Sequence, residues 1–409
     1  MTAKCRACEQ ELTEILVDLG MSPLCQKHVL PSELNHVEKF YPLKAWVCNH
    51  CWLVQLEEYV EPDELFTQYE YFSSFSTSWV EHARDYVAMI TLRQELNSSS
   101  QVVEIASNDG YLLQHFVERN IPCVGIEPAA NVAAAAQKKG IECIVKFFGE
   151  QTAKETVESH GKADLILGNN VLAHVPSLHD FVSGLRVLLA ANGVVTMEFP
   201  HLVKLIQENQ FDTIYHEHFS YFSFFVVEQV FAQHGLRLFD VEEVPTHGGS
   251  LRIYACHETA TDHPTGASVE ALRNREIEAG YASMGVYSEF TEKVLTTKRN
   301  LLQFLIKAKQ EGKTIVGYGA PGKGNTLLNY CGIRTDFLDY TVDRSPIKQG
   351  TYTPGTHIPI LDPSVIATTK PDLVLILPWN LHREISENAS FIRDWGGKFV
   401  VPIPEVKVF

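Results

Sequence analysis

Between residues 102 and 199 the apolar positions alternate between two periods. Short, nearly continuous apolar runs at 102–106, 123–127, 141–147, 164–168 and 194–199 have the length and β-branched content of buried strands. The stretches between them, 111–119, 131–139, 150–158 and 178–189, carry apolar residues at helical spacing. The second of these is Ala-rich and stops at Gly140, a residue suited to ending a helix. Residues 79–96 read as a lead-in helix. Strand–helix alternation of this kind predicts a doubly wound parallel sheet with ligands at the carboxyl ends of its strands. After residue 265 the pattern changes. Residues 269–309 read as two or three helices, and strands return near 314–317, 337–342 and 373–377. The expected class is α/β and multidomain: an N-terminal module at 1–78, a first α/β domain at 79–264, a helical connector at 265–305 and a second Rossmann-like α/β domain at 306–409.

The 409 residues exceed one ordinary core, and 45% hydrophobic with 21% charged content is globular. A net charge of −16 argues against nucleic acid or an anionic membrane as partner, since phosphate surfaces need clustered cations. Small phosphate-bearing ligands remain open, because a few local donors hold them. No apolar run is long enough for a membrane span, and residues 1–8 lack a signal peptide's apolar core, so the expected compartment is the cytoplasm. Nine cysteines there imply thiols or metal ligands.

Cys5-Arg6-Ala7-Cys8 and Cys48-Asn49-His50-Cys51 are two C-x2-C knuckles. Each sets two thiolates on one tight turn, and together they predict a closed, tetrahedral, structural Zn2+ site. His50 and Cys25 are substitute ligands. Residues 16–20 and 46–48 between and beside the knuckles read as short strands.

The first strand-to-helix turn, Glu104-Ile105-Ala106-Ser107-Asn108-Asp109-Gly110, lacks the repeated glycines of a pyrophosphate-binding fingerprint. One glycine among acids suits a cationic ligand without a pyrophosphate, such as S-adenosyl-L-methionine. Glu127, closing the second strand, is placed to take the ribose hydroxyls. Asn169, after the fourth strand, faces the methionine end. Asp109 and Asn170 serve equally well as helix caps.

Ile214-Tyr215-His216-Glu217-His218-Phe219-Ser220-Tyr221-Phe222 concentrates groups that move protons and bind developing negative charge. His174 lies just past a strand's carboxyl end. Tyr69-Glu70-Tyr71-Phe72-Ser73-Ser74 is rich enough in hydroxyls to line a polar pocket. Thr246-His247-Gly248-Gly249-Ser250 permits close backbone approach to a ligand, and Arg252 can meet an anion. Gly319-Ala320-Pro321-Gly322-Lys323-Gly324 opens a helix after a strand, so a phosphate can sit there with Lys323 beside it. It is not an ATPase loop.

In that order the two knuckles, Tyr69-x-Tyr71-x-Ser73-Ser74, the Glu104 to Gly110 turn, Asn170-x-Leu172-x-His174 and Ile214-Tyr215-His216-Glu217-His218-Phe219-Ser220 resemble the sugar-nucleotide C-methyltransferases of deoxysugar pathways. The resemblance spans essentially the whole chain. It implies a zinc-binding N-terminal domain, a central S-adenosyl-L-methionine domain of the class I methyltransferase type and a C-terminal Rossmann-like domain. It further implies a dTDP- or GDP-linked 4-keto-6-deoxyhexose methylated at a ring carbon, usually C-3′. Carried onto this chain, the catalytic residues are Tyr69, His174, Tyr215, Glu217 and His218, with Tyr71 an alternative to Tyr69. Cofactor contacts fall at Glu104, Ala106, Asn108, Asp109, Gly110, Glu127 and Asn169. Tyr71, His247, Gly248 and Lys323 are expected to hold the sugar nucleotide, and Cys5, Cys8, Cys48 and Cys51 the zinc. His218 is the expected base, tuned by Glu217. A nicotinamide-dependent sugar oxidoreductase using the Gly319 to Gly324 turn and a non-catalytic binding protein are the rival readings.

Overall fold

The protein is described here by a computed structural model covering residues 3–66 and 72–409. Tyr69 and Tyr71 lie outside the described residues. The chain folds into two units: Met1–Leu12, Cys48–Leu202 and Glu217–Ala282 make the first, and Thr13–Val47, Val203–His216 and Ser283–Phe409 the second. It passes from one to the other five times. One passage falls between His216 and Glu217, inside the histidine-rich stretch.

The first unit is built on seven strands: β1 (Val102–Ile105), β2 (Cys123–Ile126), β3 (Glu142–Ile144), β4 (Ala163–Asn169), β5 (Leu189–Pro200), β6 (Leu236–Val244) and β7 (Ser250–His257). Their order across the sheet is β6-β7-β5-β4-β1-β2-β3. β1 through β5 run parallel, and β7 lies antiparallel between β5 and β6. This is a doubly wound order with one antiparallel insertion. All four residues of β1 are buried, as a central strand covered on both faces requires. The lead-in helix Thr77–Arg93 starts where the Ser76 hydroxyl accepts from the Trp79 amide at 3.3 Å, and its Ala83, Val87 and Ile90 pack under the sheet.

Three expected elements are shorter than their apolar runs. Regular helix after the first turn is limited to Gln114–Val117. β3 stops at Ile144 because the Lys146 amide turns back to the Ile144 carbonyl. The strand expected at 337–342 is only Thr341–Val342, because the amides of Phe337 and Leu338 both close a turn onto the Arg334 carbonyl.

In the second unit β8 (Ile315–Tyr318), β9 (Thr341–Val342), β10 (Ile360–Leu361), β11 (Leu373–Ile376), β12 (Lys398–Val401) and β13 (Lys407–Val408) are ordered β10-β9-β8-β11-β12-β13. All are parallel except the last. This is again a Rossmann order, with the Gly319 to Gly324 turn at its switch point. The chain between the two knuckles joins this unit. It forms an antiparallel hairpin of Glu14–Ser22 with Tyr41–Val47, and the Cys25 carbonyl accepts from Asn325 Nδ2 at 2.7 Å. Glu38 accepts from the Gly355 amide and from His357 Nε2.

The two cysteine knuckles are near copies. In each, the residue four after the first cysteine, Glu9 or Trp52, is left-handed (φ 61° and 67°), and its amide donates to that cysteine's carbonyl. The four sulfurs lie within 4.8 Å of one another, with Cys5–Cys51 and Cys8–Cys48 at 3.5 Å. Such crowding of four thiols suits a tetrahedral soft metal, and all four ligand positions are taken by protein. Beside the cluster, Gln55 Nε2 donates to Cys5 Sγ at 3.1 Å. Gln55 sits on the short strand Val54–Leu56, which pairs antiparallel with Ser220–Tyr221. The metal centre therefore stands against the end of the histidine-rich stretch. Protein purified without chelator is expected to contain about one zinc per chain, falling to a small fraction of that in Cys48→Ser with a lowered melting temperature. Metal analysis that finds no zinc in the parent contradicts the assignment.

Candidate functional site

The Glu104 to Gly110 turn leaves the carboxyl end of β1. Ala106, Asn108 and Gly110 all have left-handed backbones (φ 56°, 49° and 73°). Left-handed backbone is ordinarily left to glycine, and here two of the three positions carry other residues. A Cβ at Gly110 would lie 2.3 Å from Ile141 Cδ1, so this position alone has no room for a side chain. Glu127, at the end of β2, fastens the turn by accepting from the Asn108 amide and the Ala129 amide, both at 2.9 Å. Ser73 fastens it from outside by donating its amide to Asn108 Oδ1. The hydroxyl-rich motif after Tyr71 thus contacts the same loop.

Three carboxylates crowd this crevice. Glu104 is fully buried, Asp109 is 3% exposed and Glu127 is 5% exposed. Burial, reinforced by Glu127 and Asp109, pushes Glu104 well above the usual carboxylate range. Burial also raises Glu127. The nearest cation is Lys139, 3.6 Å from Asp109 Oδ2. Among the described residues no donor reaches either Glu104 oxygen or Asp109 Oδ1, and no acceptor reaches Asn169 Nδ2 at the end of β4. Buried polar atoms left this way call for a ligand. A small cation with an amino-acid end would satisfy them: its positive groups would offset the carboxylates, and Asn169 Nδ2 would be free to donate to its carboxylate. S-adenosyl-L-methionine has that charge pattern, and Glu127 and Asn108 bound the side where its ribose would lie.

Along the same edge, β4 continues into the turn Leu172–His174. Asn170 is left-handed, as is His247, and their side chains meet at 2.8 Å. Both are held by Glu198 on β5: its carbonyl accepts from the Asn170 amide, and its carboxylate accepts from Thr246, His82 and Arg252. Although burial acts to raise it, hydrogen bonding from His82 and the charge of Arg252 hold Glu198 near 2. His247 and Arg252 were candidates from the sequence, but the frame that joins them was hidden because His82, Asn170 and Glu198 are far away in the chain.

His174 and His218 meet edge to face, with ring centroids 4.7 Å apart, and the His218 ring lies 5.9 Å from that of Tyr221. The Phe219 amide donates to the Ala173 carbonyl at 2.7 Å, which ties the two turns together. His174 is surrounded by protein and drops to about 4, chiefly through burial and against a hydrogen bond to the Glu217 backbone, so it is neutral at pH 7. Glu217 and His218 are buried beside it. One crevice thus gathers the six residues expected at the methyl donor along the turn and β2, with Asn169, His174, Glu217, His218, His247 and Gly248 on the same unit.

Tyr215 and Lys323 belong to the second unit. There His216 Nε2 donates to the Pro42 carbonyl. Lys323 is half-buried, 4.9 Å above the Trp379 ring and 3.0 Å from Asn380 Oδ1. Trp379 Nε1 donates to Asp212 Oδ2 at 2.7 Å, and burial pushes Asp212 up to about 7. A Cβ on Gly322 would lie 2.9 Å from Cys25 Sγ. The close approach that glycine permits at this turn is therefore taken by the chain's own Cys25.

Gly110→Ala is expected to destabilise the protein by about 1–3 kcal/mol, because the neighbours of this left-handed position cannot move aside freely. Ala106→Gly is expected to hold or raise the melting temperature, since it relieves about 1 kcal/mol of left-handed strain. A Gly110→Ala protein melting with the parent contradicts the loop geometry. His174 adds a pH signature. Unfolded, it binds its proton near the ordinary 6.5; folded, only near 4. The unfolded state thus binds more protons in that window, and stability falls as pH drops through it. Denaturant titrations should give His174→Gln a shallower slope by up to about 1.4 kcal/mol per pH unit. Equal slopes contradict a His174 held neutral by the fold.

Comparison with known proteins agrees with this architecture. Residues 5–66 match a family described as "Putative zinc binding domain", residues 79–241 a methyltransferase domain, and residues 245–404 a C-methyltransferase C-terminal domain. The C-methyltransferase NovU of Streptomyces niveus is 36% identical over 405 residues, 99% of this chain and 96% of that protein. Among solved structures, the magnesium protoporphyrin IX methyltransferase of Synechocystis PCC 6803 with bound S-adenosylmethionine aligns over 44% of this chain and 79% of its own, at 14% identity and a TM-score of 0.34. An S-adenosylmethionine-dependent methyltransferase from Clostridium acetobutylicum aligns over 44% and 92%, at 11% identity and the same score. Among the described residues no helix is long and apolar enough to cross a membrane. With its full-length kinship to NovU and domain matches along the whole chain, the protein belongs to the C-methyltransferase family, as an S-adenosyl-L-methionine-dependent enzyme with a zinc-binding N-terminal module.

Proposed function

We propose that this enzyme methylates a ring carbon, C-3′ by preference, of a dTDP- or GDP-linked 4-keto-6-deoxyhexose. The observation that carries the reading is the His174–His218 pair, 4.7 Å apart and on the unit that holds the donor crevice. Carbon is not nucleophilic until a proton leaves it. A neighbouring ketone acidifies that proton, so the enzyme needs one base and one donor to the oxygen that gains charge. His218 takes the C-3′ proton on its imidazole, with the Glu217 carboxylate raising its basicity. Neutral His174 gives its one N–H to the Glu217 backbone and orients the sugar beside His218. Tyr215, on the second unit, is the candidate hydroxyl donor to the C-4′ oxygen, and Tyr69 or Tyr71 orients the sugar. S-adenosyl-L-methionine, held by Glu104, Ala106, Asn108, Asp109, Gly110, Glu127 and Asn169, supplies the electrophilic methyl group. The chain's task is then alignment, the largest part of the rate in such a transfer.

His247 and Gly248 border the sugar, and Lys323 the nucleotide. The zinc centre of residues 1–78 supports the site from outside, and the four-cysteine set leaves no coordination position for substrate. The motif set and the acid-lined donor crevice favour this reading over a nicotinamide oxidoreductase, whose glycine turn would need the space now taken by Cys25.

His218→Asn is expected to lower turnover of a dTDP-4-keto-6-deoxyhexose by about 10²–10⁴-fold, with S-adenosylhomocysteine binding unchanged within a few-fold by calorimetry. Parent-level turnover in this variant removes His218 as the base. Absence of turnover by the parent on both dTDP- and GDP-linked keto-sugars removes the substrate class.

A further inference from the structure

Arg6, between the first two zinc-binding cysteines, reaches the proton-transfer pair through backbone alone. Its Nη1 donates to the Phe219 carbonyl and its Nη2 to the Leu56 carbonyl, both at 2.8 Å. Its guanidinium carbon lies 5.4 Å from the Phe219 ring centre, and its own amide donates to Gln55 Oε1 at 2.9 Å. Phe219 follows His218 in the chain. The Phe219 amide, in turn, donates to the carbonyl of Ala173, the residue before His174. One residue, Phe219, is thus clamped on its carbonyl by the knuckle arginine and the Leu56 amide, and on its amide by the His174 turn. A guanidinium fork spans two carbonyls on adjacent strands as an ammonium cannot. The anchor of that fork is itself fixed, because Cys5 and Cys8 are bound in one rigid turn with the metal.

We propose that Arg6 is a positioning residue for proton abstraction: it transmits the rigidity of the zinc knuckle to Phe219 and so sets the His218–His174 geometry. The proposal rests on the assignment of His218 as base. Reach across a few tenths of an ångström decides proton-transfer rates while ligand binding elsewhere is unaffected, so the loss of Arg6 separates kcat from KM.

The test uses zinc-loaded full-length protein and a dTDP-4-keto-6-deoxyhexose in deuterated water, without methyl donor. The rate of C-3′ deuterium uptake is expressed per S-adenosylhomocysteine-binding site, so that any misfolded fraction drops out. Arg6→Met is expected to exchange at least about 30-fold more slowly than the parent, with kcat for methylation falling in parallel and KM within about threefold. Zinc is expected to stay near one per chain. Exchange by Arg6→Met within about threefold of the parent, while His218→Asn does not exchange, overturns the role of Arg6 and leaves His218 standing. Exchange by His218→Asn at the parent rate overturns the base assignment and the Arg6 proposal with it. A fall in KM-type binding with unchanged kcat also overturns it.

Discussion

The charge at the head of the first sheet sets the terms for the molecule. Glu104, Asp109 and Glu127 are packed into one buried crevice with a single lysine nearby, and four of the polar atoms there have no partner among the described residues. A chain would lose little by placing apolar residues in such a site if stability were the only demand. Keeping buried acids, with Glu104 pushed toward its neutral form, makes sense when a cationic ligand supplies the missing charge. The left-handed turn, fastened by Glu127 through the Asn108 amide, borders that cluster of acids.

The His174–His218 pair, proposed as the proton-transfer groups, sits one step further along the same edge, and its two turns are tied together through backbone. Phe219 is bonded to the Ala173 turn on one side and to Arg6 and Leu56 on the other. Glu198 performs the same service for Asn170 and His247. The main chains of His174 and His218 are thus fixed, as alignment of the proposed proton-transfer pair would require.

Much of this was legible in the sequence. The strand runs located all five parallel strands of the first sheet, the inner ones because strands covered on both faces are largely apolar along their length. The C-x2-C pairs located the metal cluster because the ligand type and spacing are themselves the geometry. Other features were hidden for physical reasons. Ala106 and Asn108 occupy glycine-like positions that no glycine pattern reveals. Arg6 bonds to carbonyls 50 and 213 residues away, which leave no imprint on residue type. The segment between the knuckles gave no sign of joining the C-terminal sheet, since that depends on Asn325 and on backbone bridges such as Val29 with Tyr352. The run at 337–342 misled because an apolar turn and a strand have the same composition.

The most direct check of the account is the fate of a carbon-13 methyl group carried by S-adenosyl-L-methionine, followed by nuclear magnetic resonance on a uniformly carbon-13-labelled dTDP-4-keto-6-deoxyhexose. The account predicts a new methyl resonance coupled to a single ring carbon, C-3′, which loses its hydrogen. Label found on oxygen, on nitrogen or on the nucleotide would contradict it.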